Sequence, residues 1–461
     1  MSLPARSASV LAVPWVLLAA VVPLHGSAQT PEQPYFAWTA MDEPASELQA
    51  RRDRTREALT ALGGAGAPVL LVPGAEGLSD GETFRQDDDF WWLTGLEVPR
   101  SLVAIDAEGA TLFVPERDFR FENPSRRNDF PGRALASDPE LARRTGIARV
   151  LPADSLDGWL ERVATAGRAV YVHAPPEPPA PALFGPPPTP AQRLVAWLAA
   201  HHPDVERRDA TPVFQRVRAV KTEAEMTRVR RVAQLTSSAI AEAAALVRPG
   251  VTERDLEASF EAACKRGGAQ RIPFHPIIKS GPNSLWPWRI LAAHYDRRNR
   301  ALQAGDLVIF DVGCELDHYV SDVGRTFPVS GRFSAEQREV LTMEVGVSDR
   351  ILAAIRPGVT FADLRRVADE AIPDHEKPYM QVGLFFGHAI GLSTGDPFDE
   401  TEPLRPGTVF TVEPWYYNHE RGISVFTEDV VVVTEDGVEV LTAGLPREPA
   451  ALEALVGAVV P

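Results

Sequence analysis

The segment Leu302 to Thr326, LQAGDLVIFDVGCELDHYVSDVGRT, decides the fold of this chain. It predicts two apolar strands joined by a short connection, and each strand carries one carboxylate, Asp311 or Asp322. An unpaired carboxylate is costly to bury in an apolar strand, and a bound cation removes that cost. Two such aspartates on adjacent strands therefore indicate a metal site. The alternative is that both are turn or edge residues on a solvated face.

The same plan occurs a second time further along the chain. Leu404 to Glu413, LRPGTVFTVE, matches Leu302 to Asp311, LQAGDLVIFD, in its first leucine, its fourth-place glycine and its final acid. An RPGVT turn precedes each copy, in Val247 to Leu256 (VRPGVTERDL) and in Ile355 to Leu364 (IRPGVTFADL). An internal repeat of this length predicts two similar halves packed together with a site between them.

Both RPGVT turns lead into a predicted helix. Thr252 with Asp255, and Thr360 with Asp363, have the spacing of a capping box, in which side chain and backbone satisfy each other in the first turn. Each half is therefore expected to contain a helix, a turn, a second helix and then a strand that ends in an acid.

The second copy has its own pair of acids. Glu413 ends VFTVE, and Glu428 lies in the predicted strand SVFTEDVVVV. Before them, His388 stands in the glycine-flanked segment GHAIGL. A lone histidine beside glycine is usually structural, but beside four strand acids it becomes a candidate ligand. Carboxylate oxygens with one imidazole suit Mn, Zn, Co or Fe, and two ions can share bridging carboxylates.

The ordered stretches DVGCELDHYVSDVGRT, GHAIGL, PGTVFTVEP and GISVFTED resemble the dinuclear site of the pita-bread metallopeptidases, the family of aminopeptidase P, prolidase and methionine aminopeptidase. The resemblance covers the whole chain after residue 28. It implies an α/β (α+β) protein, with an amino-terminal creatinase/aminopeptidase P-like α/β domain. A pita-bread catalytic domain with an internal pseudo-twofold repeat would follow.

The resemblance also implies the metal ligands. They are Asp311, Asp322, His388, Glu413 and Glu428. Asp311 would chelate the first ion and His388 and Glu413 the second, while Asp322 and Glu428 would bridge. The expected cofactors are two divalent metal ions, with Mn2+ favoured and Zn2+ or Co2+ as alternatives. Such a pair lowers the pKa of a shared water toward neutrality.

Three residues are predicted to act in catalysis by the same resemblance. Glu413 would carry a proton, since it could reach the shared water. His294, seventeen positions before Asp311, would donate to the substrate carbonyl or oxyanion, and Tyr417 matches the family's tyrosine. The implied enzyme is an Xaa-Pro aminopeptidase acting on peptides with proline in second position. Prolidase, which cleaves Xaa-Pro dipeptides, and a metal-binding, weakly active protein with a binding role remain alternatives.

The chain departs from the aminopeptidase P pattern at three places. Gly395 and Leu384 replace histidines, and Phe426 replaces an arginine two residues before Glu428. Strand alternation places Phe426 on the same face as Glu428. Unless another residue compensates, we expect lower activity and a more apolar pocket.

One insertion lies near the predicted site. The interval from Asn283 to His294 is longer than usual in the family and contains Trp286, Pro287 and Trp288. It is predicted either to border the mouth of the site or to form a surface loop with packed tryptophans. With His419, this insertion and His294 are the candidates for compensating the missing arginine and histidine.

The domain organisation follows from length and composition. A chain of 461 residues, 44% hydrophobic and 24% charged, predicts a globular protein of more than one domain. Phe84 to Pro99, FRQDDDFWWLTGLEVP, resembles the signature of the aminopeptidase P amino-terminal domain. An aromatic core strand with an acidic turn would give the same pattern. We place this domain at residues 29–213 and the catalytic domain at 214–461.

Charge and cysteine content exclude several classes of partner. The net charge of −16 argues against nucleic acid and anionic membranes. Cys264 and Cys314 are too few for a disulfide scaffold, and we interpret Cys314 as a packed residue, while a single bond between the two stays open. The expected partners are peptide substrates, with a homo-oligomer as a further option by analogy.

Residues 1–28 have the pattern of an export signal. Arg6 supplies a positive charge, Val10 to Val22 an apolar core, and Gly26-Ser27-Ala28 a small-residue cleavage site. The core is short for a membrane span and contains Pro14. The prediction is an exported protein, periplasmic or secreted, with no membrane attachment after removal of the leader.

Overall fold

The computed structural model describes residues 35–63, 67–77, 83–116, 134–174, 187–286, 289, 291, 295, 299–380 and 387–457. The predicted leader, residues 1–28, lies outside these ranges, as do His294 and Leu384. Among the described residues, no helix combines the length and the apolar character needed to cross a bilayer.

The amino-terminal part is a six-stranded mixed sheet with helices. Its strands are β1 (Val69–Pro73), β2 (Leu102–Asp106), β3 (Gly109–Val114), β4 (Arg149–Pro152), β5 (Val170–Val172) and β6 (Arg207–Asp209). They lie in the order β4-β3-β2-β1-β5-β6, in which β2 is antiparallel to β1 and β3 and the other pairs are parallel. The helices are α1 (Tyr35–Thr39), α2 (Ala45–Ala61), α3 (Asp88–Thr94), α4 (Pro139–Thr145), α5 (Leu156–Thr165), α6 (Pro190–His201) and α7 (Thr211–Ala219).

The described residues of the carboxyl-terminal part form small antiparallel sheets and further helices. The strands are β7 (Ile277–Ser280), β8 (Leu307–Val312), β9 (Glu315–Leu316), β10 (Tyr319–Val320), β11 (Val323–Pro328), β12 (Val409–Val412), β13 (Trp415–Asn418), β14 (Ile423–Phe426), β15 (Asp429–Val433) and β16 (Val438–Val440). The helices are α8 (Glu223–Ala244), α9 (Glu253–Arg266), α10 (Ala335–Ala354), α11 (Phe361–Ala371) and α12 (Pro449–Leu455). The sheet β11-β8-β7 belongs to the first copy of the repeat, and β12-β15-β16 belongs to the second.

The two copies share their turn structure down to single hydrogen bonds. In the first copy, Gly250 has a φ of 90° and its N–H donates to the carbonyl of Leu302 at 2.9 Å. In the second, Gly358 has a φ of 91° and donates to the carbonyl of Leu404 at 2.9 Å. Glycine is favoured at such positive φ. The predicted internal repeat is confirmed.

Both predicted capping boxes are also confirmed. The side chain of Thr252 accepts from the N–H of Asp255 at 3.2 Å, and the Asp255 carboxylate accepts from the N–H of Thr252 at 2.9 Å. Thr360 and Asp363 make the equivalent pair at 3.2 and 3.0 Å. These boxes fix the starts of α9 and α11 at corresponding points of the two copies.

Glu428 does not lie inside one continuous strand, as the sequence analysis predicted. β14 ends at Phe426 and pairs with β13, whereas β15 begins at Asp429 and pairs with β12. Glu428 lies between them and forms an isolated bridge with Gly324. The chain changes partner at this point because the backbone of Glu428 bonds across to the first copy.

Cys264 on α9 and Cys314 just after β8 form a disulfide bond. The sequence analysis left this pairing open and treated Cys314 as packed; both residues are in fact bonded and fully buried. The bond connects a helix of the first copy to the segment that directly follows Asp311.

The segment Phe84 to Pro99 joins the two parts of the chain. Arg85 pairs with the buried carboxylate of Glu315 at 3.0 Å, and the Trp91 ring stacks on His318 with 4.3 Å between centroids. Both partners belong to the β9–β10 hairpin that connects β8 to β11. The amino-terminal part therefore supports the connection that carries the chain from one predicted metal ligand to the next.

Candidate metal centre

Asp311 lies near the end of β8, the central strand of the β11-β8-β7 sheet. Its neighbours in register are Gly324 on β11 and Ile277 on β7. The residue is only 8% exposed. A carboxylate buried in this way requires a positive partner, and Arg289 forms an ion pair with its Oδ2 atom.

The β9–β10 hairpin returns the chain to the same place. It turns at Asp317 and His318, which both have positive φ, and Asp322 follows directly before β11. Burial raises the pKa of Asp322 to about 6, and the charge of Asp311 adds to this effect while His388 opposes it. Its Oδ1 atom is buried and has no hydrogen-bond partner among the described residues.

Gly387 allows His388 to approach β12 closely. Gly387 has a φ of 144°, and a Cβ atom there would lie 1.8 Å from the carbonyl oxygen of Thr411. The N–H of Thr411 donates to the carbonyl of His388 at 2.9 Å, and the N–H of His388 donates to the Thr411 hydroxyl at 3.1 Å. The histidine backbone is therefore fixed to the strand that carries Glu413.

The His388 ring directs its Nε2 atom at the acids. Nδ1 lies 3.2 Å from the carbonyl oxygen of Ala389, which favours the tautomer with its proton on Nδ1. Nε2 lies 3.6 Å from Oδ2 of Asp322 and 3.3 Å from Oε1 of Glu413. Burial acts to lower the pKa of His388, but the two carboxylates prevail and raise it to about 9.

Glu413 follows β12 and is held by two donors. Its Oε1 atom accepts from the Thr411 hydroxyl at 3.0 Å, and Oε2 accepts from Nε1 of Trp415 at 3.2 Å. Burial raises the pKa of Glu413 to about 7; His388 opposes this shift, and Asp322 reinforces it. Two hydrogen bonds to neighbouring residues fix the orientation of the carboxylate.

Glu428 is placed by its backbone. It exchanges two backbone hydrogen bonds with Gly324, and its carbonyl accepts from Nη1 of the buried Arg325 at 2.6 Å. Arg325 also pairs with Asp429 at 2.6 Å. Both carboxylate oxygens of Glu428 are buried without a hydrogen-bond partner in the described part of the chain. Burial, followed by the charge of Asp322, raises the pKa of Glu428 well above its usual range.

The structure brings the predicted ligands together. Candidate ligand atoms of Asp322, His388 and Glu428 all lie within 4.8 Å of one another, and Glu413 borders them through its contact with Nε2 of His388. Asp311 lies near enough for its charge to help raise the pKa of Asp322. All four carboxylates are buried, and the negative charges around them help burial to raise the pKa of Asp322, Glu413 and Glu428, so the site is short of positive charge. Divalent cations supply that charge, so the donor set fits a metal centre. The role of each ligand stays a prediction from the resemblance.

The other predicted residues lie around this centre or outside the described ranges. Tyr417 is on β13 opposite Ser424, on the same side as Trp415 by strand alternation, and burial raises its pKa. Gly395 has open space around it, since an added Cβ atom would meet nothing within 4 Å. His294 is not among the described residues, so its catalytic role stays a prediction.

Arg289 is a site residue that the sequence analysis missed. Its guanidinium carbon lies 3.9 Å from the centroid of the Trp415 ring and 4.5 Å from that of Phe426, and the residue is 3% exposed. The more apolar pocket was expected only if no other residue compensated for Phe426, and the inserted segment does bring a cation beside that residue. The sequence did contain a signal. Arg289 directly follows Trp286-Pro287-Trp288, in a chain that has Phe426 where the family has an arginine.

Comparisons with known proteins agree with the fold. The sequence profile of "Metallopeptidase family M24" matches residues 227–435, and that of "Aminopeptidase P, N-terminal domain" matches residues 49–171. The Xaa-Pro aminopeptidase of Escherichia coli is 29% identical, over 89% of this chain and 97% of its own. The Xaa-Pro dipeptidase of Pyrococcus furiosus is 31% identical, over 50% of this chain and 65% of its own. The structure of the Pseudomonas aeruginosa aminopeptidase PepP has a TM-score of 0.71 and 27% identity, over 88% of this chain and 97% of its own.

The pita-bread half with its acidic, histidine-containing centre defines a metallopeptidase, and the predicted fold class is confirmed. With its matching amino-terminal domain, the chain belongs to the aminopeptidase P-type family, and it is a metallo-aminopeptidase.

Proposed function

We propose that this protein is an exported Xaa-Pro aminopeptidase, which uses two divalent metal ions to remove the first residue from peptides with proline in second position. The observation that carries the proposal is the clustering of Asp322, His388, Glu413 and Glu428 at one buried point, where the charge of Asp311 also acts on Asp322. The full-length similarity to a curated Xaa-Pro aminopeptidase supports the choice of substrate.

Each ligand would bind from a position that the fold holds in place. Asp311 and Asp322 come from the first copy of the repeat, and Glu413 and Glu428 come from the second. His388 reaches the centre from the segment before β12. Two divalent ions bound there would lower the pKa of a shared water and polarise the substrate carbonyl. We favour Mn2+, with Zn2+ or Co2+ as alternatives.

Glu413 is the residue that we propose moves a proton. It lies beside His388, and its two hydrogen bonds, from Thr411 and Trp415, orient the carboxylate without neutralising it. A carboxylate held in this way can take a proton from water and deliver it to the leaving amine. Tyr417 and His294 are proposed to stabilise charge on the substrate, in line with the resemblance.

Export is proposed from the leader pattern in residues 1–28 and is supported by the disulfide bond between Cys264 and Cys314. Disulfide bonds persist mainly in oxidising compartments, such as the periplasm and the extracellular space. Amino-terminal sequencing of the protein recovered from its native host, after cell fractionation, tests this part. A mature protein that begins near Gln29 in an exported fraction supports export, and a cytoplasmic protein that retains Met1 refutes it.

Prolidase activity is the second candidate, because the Pyrococcus furiosus relative is an Xaa-Pro dipeptidase. A weakly active binding protein is the third, because Gly395 and Phe426 replace residues of the family pattern. The intact set of predicted ligands argues against this third reading.

One experiment separates the three candidates. Protein loaded with Mn2+ is given an Xaa-Pro-Xaa tripeptide, an Xaa-Pro dipeptide and an Xaa-Ala-Xaa tripeptide as control, and release of the first residue is followed. The proposal expects turnover chiefly of the Xaa-Pro-Xaa tripeptide. Preference for the dipeptide establishes prolidase activity instead. Full metal occupancy with no turnover of any peptide supports a binding role and contradicts the proposal.

A further inference from the structure

Arg289 is held in an aromatic slot beside the metal centre. The guanidinium carbon lies 3.9 Å from the centroid of the Trp415 ring and 4.5 Å from that of the Phe426 ring. The planes of these two rings are nearly perpendicular, at 84°. Trp286, from the same inserted segment, approaches Trp415 with 5.9 Å between ring centroids. A planar guanidinium suits such a slot, because it is weakly hydrated and attracted to aromatic faces.

The only ion pair that Arg289 makes within the described residues is with Asp311. Its Nε atom is buried and has no hydrogen-bond partner in that part of the chain. Burying the charge of an arginine costs free energy unless the charge is paired. The ion pair with Asp311 therefore stabilises Arg289 in its buried position. The same contact holds one oxygen of the Asp311 carboxylate in a defined direction.

The slot connects residues of both copies of the repeat. The Trp415 ring lies against Arg289, and its Nε1 atom donates to Glu413 at 3.2 Å. Two predicted ligands, Asp311 and Glu413, are thus connected through Arg289 and Trp415. A displacement of Arg289 would therefore disturb the positions of both Asp311 and Glu413.

Phe426 closes the other side of the slot. Its ring lies on Gly324, where an added Cβ atom would be 2.3 Å from a ring carbon. Gly324 in turn pairs in register with Asp311. The small residue at 324 leaves the room that Phe426 needs in order to lie beside the guanidinium.

We propose that Arg289 is a positioning residue of the metal centre, which orients Asp311 and supplies from the inserted segment the positive charge absent at position 426. The proposal rests on the dinuclear centre of the proposed function but not on its peptide substrate. Four carboxylates crowd the site, and a fixed cation beside Asp311 reduces their mutual repulsion while it fixes the direction of one of them.

Metal binding is the readout, so that failure of this proposal can be told apart from failure of the proposed peptidase activity. Co2+ binding is measured by competition with a chelator, and the visible absorption spectrum of the bound Co2+ reports its coordination. The Arg289→Met variant removes the charge and keeps a similar length. We expect Co2+ to bind about 10- to 100-fold more weakly, with an altered spectrum, because partners that orient metal ligands have effects of this size.

A matched control and a rescue complete the test. Arg300→Met removes an arginine that pairs with Asp306 at 2.6 Å, away from the ligands, and should leave both readouts unchanged. Adding Phe426→Arg to Arg289→Met returns a guanidinium to the site and should restore much of the Co2+ affinity, which a merely structural role would not allow.

Arg289→Lys serves if the methionine variant does not fold. It retains the charge but not the planar group that two rings can hold, so we expect binding weakened about three- to tenfold and a shifted spectrum. Unchanged affinity and spectrum in a folded variant would overturn the proposal. Tighter Co2+ binding in Arg289→Met would also overturn it, since Arg289 would then compete with the metal for Asp311.

Discussion

Gly324 and Glu428 exchange backbone hydrogen bonds in both directions, at 3.2 and 3.0 Å. This pair joins β11 of the first copy to the break between β14 and β15 of the second. It places Glu428 beside Asp322, which lies two residues before Gly324. The bond between the two halves of the repeat is therefore also the bond that assembles the metal centre.

Gly324→Ala should damage both stability and metal binding. A Cβ atom at 324 would lie 2.3 Å from the Phe426 ring and 2.9 Å from Cβ of Glu428, and both neighbours are buried. We expect a loss of about 1–3 kcal/mol in the free energy of unfolding, typical of overpacking. Urea unfolding measures the loss, and elemental analysis measures the metal content.

Gly346→Ala is the matched control for this variant. Gly346 lies within α10, and an added Cβ atom would meet nothing within 4 Å. Alanine is favoured over glycine in a helix, so this variant should be as stable as the wild type or more so. Equal stability and metal content in Gly324→Ala and the wild type would show that the Gly324–Glu428 contact is looser than described.

Asp322→Ala should lose both metal ions. The side chain faces His388 and Glu428, and the resemblance assigns it to both ions. Inductively coupled plasma mass spectrometry should find close to two ions per wild-type chain and close to none in the variant. Glu339 is an exposed acid on α10, and the control variant Glu339→Ala should bind the same amount of metal as the wild type. Full occupancy in Asp322→Ala would remove this residue from the ligand set.

The disulfide bond should contribute to stability. The bond closes a loop over a sequence separation of 50 residues, and restricting a loop of this length in the unfolded chain contributes about 2–4 kcal/mol. The variant with both Cys264→Ser and Cys314→Ser should lose this amount in urea unfolding. A reducing agent should destabilise the wild type but not the variant. Thiol titration of the unreduced, unfolded wild type that finds two free thiols would contradict the bond.

Asp87→Asn should change how stability depends on pH. Burial, with the charges of Asp89 and Asp88, raises the pKa of Asp87 to about 7, compared with an ordinary value near 4. The folded state therefore binds this proton more tightly, and the contribution of Asp87 to stability falls as the pH rises from about 4 to 7. Asparagine caps α3 equally well and does not titrate. The stability of the variant relative to the wild type should therefore increase as the pH rises from about 4 to 7.

The expected gain is on the order of 1 kcal/mol, because Asp87 is half-buried and still accepts from the N–H groups of Asp89 and Phe90. Thermal unfolding at pH 4, 5, 6 and 7 measures it. The exposed Asp204 provides the control Asp204→Asn, measured at the same four pH values. A constant difference for Asp87→Asn would show that Asp87 keeps an ordinary pKa in the folded protein.

The sequence predicted the parts of the site that depend on local pattern. Asp311 and Glu413 end corresponding strands of a repeat, and the RPGVT turns with their capping boxes follow rules that act over a few residues. The fold class follows from the same repeat. His388 could be singled out because glycine flanks it, and the structure shows that Gly387 is required for its close approach to Thr411.

The parts that the sequence did not predict depend on contacts between distant segments. Arg289 finds Asp311 across 22 positions and is held by Trp415 and Phe426 from the other copy of the repeat. The break in the predicted strand at Glu428 exists because Gly324 takes over its backbone pairing. The sequence draws attention to Arg289 through its place after Trp286-Pro287-Trp288, but it does not identify the partner in either case, because each contact is completed only when the two copies pack together.

The most direct test of the central claim is anomalous X-ray diffraction from crystals of the Mn2+-loaded protein. The account predicts two Mn2+ peaks, roughly 3.5–4 Å apart, between Asp322 and Glu428 and in contact with Asp311, His388 and Glu413. A single ion, or ions bound elsewhere while these five side chains remain without metal, would contradict it.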